Sequence, residues 1–394
     1  MKKDNIPKIL LIGIFALMLT VIPIATLISS AGLPENAKSE NENKYLQKMP
    51  QLNFETITEK TFMSDFEEYF SDRIVLREDW IRLTNSFDRL LGKREIKGVF
   101  TEDGRMMQSW RTSDYDISSV DKNLAAMENF AQKFPKMKTF FMLVPNAQEI
   151  YSDTLPANCG AADQKQFIKY CYDATPSIAG IDAYSGLLAE KDEYIYYRTD
   201  HHWTSYGAYI GYKAAGSAMK FVPYSKDKFC IEHASNEFKG TLFSKTLDNS
   251  ILPDTIDIYS LAQGEPNVRV SVYSSAESTA TYDSMYFREF LSQKDKYSAF
   301  LGQNVPRIDI DTELSEENDK GSLLIIKDSY AHSLVPFLSK HYSHITMLDL
   351  RYINSDLSNI GVDVSKYGTT LFMYNVITFS QDENVKKLNF VVPD

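Results

Sequence analysis

The sequence predicts an α/β protein built on a parallel sheet flanked by helices, and two observations predict it. Short apolar runs, MKTFFMLV (137–144), SLLIIK (322–327), HITML (344–348) and TTLFMY (369–374), have the length and continuity of strands buried on both faces. Ahead of the first run, Val120, Leu124, Met127, Ala131 and Phe134 fall at i, i+4, i+7, i+11 and i+14, one face of a helix. The runs end at polar residues, among them Asp328-Ser329, Asp349-Leu350-Arg351 and Asn375. Strand ends at one edge of a parallel sheet are where such folds place ligands.

The N-terminus carries a separate signal. Lys2, Lys3 and Lys8 precede an uncharged run from Ile9 to Ile28, interrupted only by Gly13, Thr20, Pro23 and Thr26. Twenty helical residues match a bilayer core of about 30 Å. The cationic flank stays in the cytoplasm, which places the rest of the chain outside. A cleaved signal peptide is the competing reading, with Ser29-Ser30-Ala31 as a small-residue site; the length of the run favours a retained single-pass anchor, and both readings export the same domain.

Beyond the anchor, residues 33–60 are polar and read as a tether. In residues 61–92, Phe62, Phe66, Tyr69, Ile74 and Leu76, then Trp80, Leu83 and Phe87, recur at helical spacings, as in amphipathic helices packed on a body. Glu102-Asp103-Gly104 is a turn. Residues 205–219 read as a helix capped by Thr204 or Ser205. Residues 255–310 are less regular, and the alternation in NVRVSVYS reads as exposed strands in an insertion lying over the sheet. The expected organisation is therefore a cytoplasmic tip and anchor (1–30), a tether and helical region (31–115), and an α/β domain (116–394) with a partly β insertion at about 245–315.

Composition narrows the partners. The 394 residues are 43% hydrophobic, enough for a large core, and carry a formal charge of -11. Phosphate binding needs clustered Lys and Arg, so nucleic acid is not an expected partner. Cys159, Cys171 and Cys230 show no CxxC spacing. Cys159 and Cys171 could close a short loop, or all three are small buried hydrophobes.

Two segments carry candidate chemistry. In Arg198-Thr199-Asp200-His201-His202-Trp203-Thr204, an extended backbone puts Asp200 and His202 on one face and His201 on the other. A carboxylate beside a histidine fixes its tautomer and stabilises the imidazolium formed in proton transfer. The alternatives are a surface turn capping the next helix, or a metal site from Asp200, His201 and His202. Adjacent residues rarely converge on one ion, and no further His or Cys cluster completes a shell, so no metal is expected. In Lys327-Asp328-Ser329-Tyr330, a serine after a buried strand and before a helix sits where backbone N–H groups stabilise an oxyanion. The alternative there is a helix cap. His332, three residues on, is a rival base or helix surface.

Together, TDHHWTSYGAY (199–209) and KDSYAHSLVPFL (327–338) resemble the DHHW family. That family is related to the AlgX/AlgJ-type alginate O-acetyltransferases, an SGNH-hydrolase-like group whose pattern is T-D-x-H-W-T early and a D-S-[FY] serine late. Supporting matches are KGVFTEDGRMM (97–107), VPNAQEIYSDTLP (144–156), FKGTLFSK (238–245), DKYSAFLGQNVP (295–306) and LDLRYIN (348–354). The resemblance implies an SGNH-hydrolase-like fold and a Ser329, His202, Asp200 triad, choosing His202 over His201 and Asp200 over Asp328. The group's usual Gly before Asp-Ser is Lys327 here, which modifies the turn. By position the Ser329 N–H serves the oxyanion, with Arg351, Asn375, Tyr330 and Trp203 as candidates for binding oxyanion or substrate.

The implied activity is O-acetyl transfer to a cell-surface or secreted polysaccharide, without a cofactor. The acetyl donor would be delivered by a membrane-bound O-acyltransferase. The alternatives are a polysaccharide O-acetyl esterase, or a non-catalytic glycan-binding or assembly protein on the same fold. For the last, 24 Tyr, 23 Phe and 3 Trp permit sugar stacking, but binding has no need of all three triad groups.

Overall fold

The structure, a computed structural model, describes residues 6–275, 278–353 and 361–391. Lys2, Lys3 and Asn354 lie outside the described residues. Two compact units are present, one of residues 1–97 with 243–249, the other of 98–242 with 250–394.

In the first unit, helix α1 (Ile6–Ser30) contains one stretch, Pro7–Ser30, long and apolar enough to cross a membrane. Helices α2 (Thr61–Arg73) and α3 (Arg77–Leu90) follow. The tether is not featureless: Lys38–Ser39 pairs antiparallel with Lys44–Tyr45. One expectation reverses. The apolar side of α3 is not packed on a body, since Trp80, Leu83 and Phe87 are exposed and the helix's one buried residue is Asn85.

The second unit opens with a hairpin, β1 (Val99–Glu102) and β2 (Arg105–Gln108). Its two-residue loop, Asp103-Gly104, has positive φ at both positions, 48° and 71°, the conformation that Asp-Gly tolerates and tight hairpins need. Helix α4 (Ile117–Lys133) precedes β3 (Lys138–Val144), and β4 is the short Ala179–Gly180. Helix α5 (Ser205–Met219) is capped by Thr204, whose hydroxyl accepts the Gly207 N–H at 3.2 Å. An antiparallel pair, β5 (Phe229–Phe238) and β6 (Asp254–Leu261), is followed by β7 (Val268–Tyr273), β8 (Thr279–Tyr282) and β9 (Arg307–Thr312). The chain closes with β10 (Ser322–Lys327), α6 (Ala331–Leu338), β11 (His344–Leu348), β12 (Thr369–Asn375) and α7 (Val376–Gln381).

The central sheet runs β8-β7-β9-β11-β10-β12-β3-β4. From β11 to β4 it is parallel. Within the stretch expected as an insertion over the sheet, β6 stays outside the central sheet in its pair with β5, whereas residues 268–312 extend that sheet: β9 pairs antiparallel with β11, β7 with β9 and β8 with β7. Alternation in β7 marks an edge region with one covered face, which periodicity alone does not separate from an independent layer.

Strand alternation accounts for the continuous apolar runs. Leu323 and Ile325 of β10 join Met142, Leu371 and Met347 in a core with α5 and α6 residues such as Ala208, Tyr212 and Leu334. Leu324 and Ile326 face the other way, into a core with Phe141, Phe372, Val120, Leu124, Met127 and Phe379. Both faces are covered, so the strands are mostly apolar at successive positions. The C-terminal ends of β3, β10, β11 and β12 consequently share one edge, and Ser329 follows β10 there.

The three cysteines are free: Cys171 is buried, Cys159 half-buried and Cys230 exposed.

Candidate active site

Between Leu323 and Tyr342, Ser329 alone is not buried. The turn that presents it is held by Asp328. Its carboxylate accepts the Tyr330 N–H at 2.9 Å and, from the neighbouring strand end, the Asn375 N–H at 2.8 Å. Burial pushes the Asp328 carboxyl up from its ordinary range, against the Arg351 charge and these hydrogen bonds. The Ser329 carbonyl accepts the Tyr297 hydroxyl at 3.0 Å. Its N–H has no hydrogen-bond acceptor among the described residues.

The second half of the site is the 198–204 loop. Buried Asp254 accepts the N–H groups of Arg198 (2.6 Å) and Thr199 (2.8 Å), and the hydroxyls of Thr199 and Tyr194. Asp200 then accepts the His202 N–H at 3.0 Å through Oδ1, and the same oxygen faces His202 Nδ1 at 2.6 Å. Its other oxygen accepts the Thr241 N–H at 2.7 Å and hydroxyl at 3.0 Å. Gly240 makes this possible: a Cβ there would lie 2.3 Å from both Asp200 Cβ and Oδ2.

This local turn, not strand alternation, brings Asp200 and His202 together. The extended reading fails because Asp200 bonds its own backbone two residues on. His202 Nε2 lies 2.7 Å from Ser329 Oγ. Burial would raise the Asp200 pKa, but the His201 and His202 charges, with hydrogen bonds from His202 and Thr241, hold it far below the ordinary carboxylate range. An ionised Asp200 assigns the proton to His202 Nδ1 and leaves Nε2 to accept from serine. The Tyr297 ring stacks on the imidazole with centroids 3.7 Å apart and planes 9° apart.

His201 does not point away as alternation predicts. Its ring centroid is 3.9 Å from that of His202, and its Nδ1 lies 2.7 Å from Thr241 Oγ1. Donor atoms of Asp200, His201 and His202 thus lie within 4.8 Å of one another, so adjacent residues do converge here and could hold a cation. In this structure both Asp200 oxygens are instead engaged, one by His202 and one by Thr241.

Trp203 and Tyr330 are fully buried and offer a substrate no surface. The Trp203 indole N–H donates to Ser333 Oγ (2.9 Å) and the Tyr330 carbonyl (3.2 Å), while the Tyr330 hydroxyl donates to the His201 carbonyl. They fasten the histidine loop to the serine helix. Arg351 grips buried Asp349 through Nε (2.8 Å) and Nη2 (2.7 Å). Asn375 caps α7, its Oδ1 accepting the Ile377 N–H at 3.0 Å.

His332 is neither surface nor rival base. It donates Nδ1–H to the Phe300 carbonyl (3.0 Å) and accepts at Nε2 from Lys327 Nζ (2.7 Å). Burial, then the Lys327 charge, holds it well below the ordinary histidine range. Lys327, in place of the usual glycine, is fully buried and reaches Asn304 Oδ1 (3.0 Å) and Asp349 Oδ2 (3.5 Å).

Four participants had no role in the sequence reading: Tyr297, Thr241, Gly240 and Asp254. Tyr297 and Gly240-Thr241 lie in DKYSAFLGQNVP and FKGTLFSK, but nothing in those words ties a tyrosine or a glycine to a site far away in the chain.

The family model described as DHHW protein matches residues 106–348, a span that holds Asp200, His202 and Ser329. The chain belongs to the DHHW family. A solved DHHW family protein from Eubacterium siraeum is 23% identical, with TM-score 0.64, over 76% of this chain and 97% of that one. Bacillus cereus PatB1, solved with a sulfonyl adduct, is 20% identical with TM-score 0.59, over 72% of this chain and 98% of that one. The O-acetyltransferase domain of Pseudomonas putida AlgJ is 14% identical with TM-score 0.43, over 74% of this chain and 99% of that one. A comparison with curated proteins finds no match. This DHHW protein thus has a mixed α/β fold with a large, mostly parallel sheet, shared with the Eubacterium siraeum protein and PatB1, and an N-terminal apolar helix that fits a membrane anchor or a signal peptide.

Proposed function

We propose that this DHHW protein transfers acetyl groups to hydroxyls of a cell-surface polysaccharide by a serine mechanism. One observation carries the reading: Ser329 Oγ, His202 Nε2, His202 Nδ1 and Asp200 Oδ1 form a continuous relay of 2.7 and 2.6 Å contacts. Its outer end is the one residue of its segment that is not buried.

In the first half-reaction Ser329 Oγ attacks the acetyl carbonyl as its proton passes to His202 Nε2. Asp200, held ionised, stabilises the imidazolium. The Ser329 N–H, uncommitted among the described residues, is placed to donate to the developing oxyanion. Collapse expels the donor's oxygen, which takes the proton from His202 and leaves an acetyl ester on Ser329. In the second half-reaction a sugar hydroxyl gives its proton to His202, attacks that ester and restores the free serine. Water in place of the sugar gives hydrolysis.

The acetyl group and the polysaccharide are supported by the resemblance to the AlgX/AlgJ-type enzymes carried by TDHHWT and KDSY. Outside the cytoplasm acetyl-CoA is not at hand, so the donor is delivered by a membrane-bound O-acyltransferase. The orientation that makes this necessary is supported by Lys8 ahead of the apolar span.

The test uses an aryl sulfonyl fluoride and a chromogenic acetyl ester. The reagent should add one sulfonyl mass to Ser329, and Ser329→Ala should remove both the label and ester turnover. His202→Ala should slow turnover roughly a thousandfold, with little further loss in the double variant, because triad members act as a unit. Added acceptor glycan should gain acetyl at the expense of free acetate; acetate release alone identifies an esterase. Unlabelled Ser329 with wild-type turnover in both variants would sink the serine mechanism.

A further inference from the structure

Helix α3 is amphipathic with its sides exchanged. Leu76, just before it, and Trp80, Leu83, Phe87 and Leu90 recur at 4, 3, 4 and 3 residues, one stripe along the helix. A water-facing protein turns such a stripe inward. Here it is outward: Trp80 is 38% exposed and Leu90 82%, with the others between. The inward side is polar and specifically bonded. Arg77 takes both Glu42 oxygens (2.8 and 3.0 Å), Glu78 accepts from Asn41 Nδ2 (2.8 Å), buried Asn85 donates to the Thr246 carbonyl (2.5 Å), and Arg89 pairs with Asp248 (2.5 Å). Those contacts fix the helix's rotation, so the stripe cannot roll back inward without breaking them.

The helix starts beside the end of the apolar span. The Val75 N–H, one residue before Leu76, donates to Thr26 Oγ1 of α1 at 3.1 Å. Thr26 lies two residues from Ile28, the last residue of the run, hence about 3 Å along the helix from the bilayer's outer boundary. Exposed large hydrophobics also concentrate here. Residues 31–97 hold thirteen of them, against seven among the described residues from 98 onward. The stripe covers two heptads, and helix-to-helix pairing usually needs three or four. The charges on α3, Arg77, Arg82 and Arg89 against Glu78, Asp79 and Asp88, balance.

We propose that α3 is an interfacial helix, its Leu76–Leu90 stripe inserted among the acyl chains of the outer leaflet beside α1. This rests on α1 being a retained anchor. The helix lies at the depth where an apolar face enters the headgroup boundary and an indole is at home. Balanced charge makes the insertion depend on apolar area, not on anionic lipid. The occupant is lipid, not a second copy of the chain.

Trp110 and Trp203 are fully buried, so Trp80 is the tryptophan that a quencher can reach. Full-length protein is reconstituted in phosphatidylcholine vesicles whose acyl chains carry bromine, with Trp80→Phe as the blank. Trp80 emission should be quenched by the bromolipid and shielded from aqueous iodide, unchanged between low and high salt. Leu83→Asp with Phe87→Asp should reverse the order of the two quenchers while leaving sulfonyl labelling at Ser329 intact. Trp80 quenched by iodide and untouched by bromolipid, in wild-type protein whose mass shows α1 retained, overturns the interfacial helix alone. A mature chain beginning near Ala31 overturns the anchor on which it rests.

Discussion

In the proposed mechanism the Ser329 hydroxyl is a weak nucleophile until its proton has an acceptor, and an ionised Asp200 holds His202 in the tautomer that accepts it. Asp200 reaches that state through partners local and distant. His202 is two residues away, while Thr241, forty-one residues on, supplies an N–H and a hydroxyl. This makes a pH prediction. The folded pKa of Asp200 lies below its unfolded value of about 3.9, so on acidification the unfolded chain binds the proton first. The stabilisation is therefore complete above that unfolded value and is lost as pH falls toward the folded pKa. Asparagine cannot titrate. The stability gap between wild type and Asp200→Asn, read from urea midpoints, should be widest near neutrality and shrink below about pH 4. A gap independent of pH would show that Asp200 contributes no charged interaction. At this scale the paired motifs pointed to Asp200, His202 and Ser329 as a set, and the three side chains lie in contact. The stacking of Tyr297 on His202 was illegible, because a tyrosine looks the same in sequence whether it fills a core or flattens against an imidazole.

Between elements, the histidine loop packs closely against residues 240–241. Gly240 is the sharpest case. Its backbone needs no positive φ, so the constraint is purely steric: a methyl would overlap Asp200. Gly240→Ala should displace Asp200 or the Thr241 N–H and cost about 1–3 kcal/mol of stability. Ester turnover should fall further than that destabilisation explains. Turnover at the wild-type level in Gly240→Ala would mean that the Thr241–Asp200 contact does not matter to the chemistry. The strands of the parallel core were legible because burial on both faces leaves a continuous apolar run. Which way α3 turns was not. A period of 3.6 places apolar residues on one side of a helix, and it is silent about whether that side meets protein or lipid.

For the whole molecule, the prediction is one of sidedness. If, as proposed, Lys8 before the uncharged span keeps the N-terminus inside, the unit carrying Ser329 should be digested when protease is added to intact protoplasts. Complete protection would place that unit in the cytoplasm, where no membrane partner is needed to supply acetyl groups. The expectation rests on hydropathy and flanking charge, the properties by which a bilayer sorts segments.

By itself, the sequence determined the apolar N-terminal helix, the parallel core and the two words to which the proposed acid–base chemistry is assigned, since each is a local pattern imposed by its surroundings. The tertiary structure alone decided that residues 127 positions apart meet at 2.7 Å, that an aspartate turn and not strand alternation aims Asp200 at His202, and that 268–312 lengthens the sheet. It alone turned the apolar side of α3 outward. Those outcomes depend on long-range contacts, whose energies are set by which distant groups end up adjacent, and no short window of sequence contains both partners.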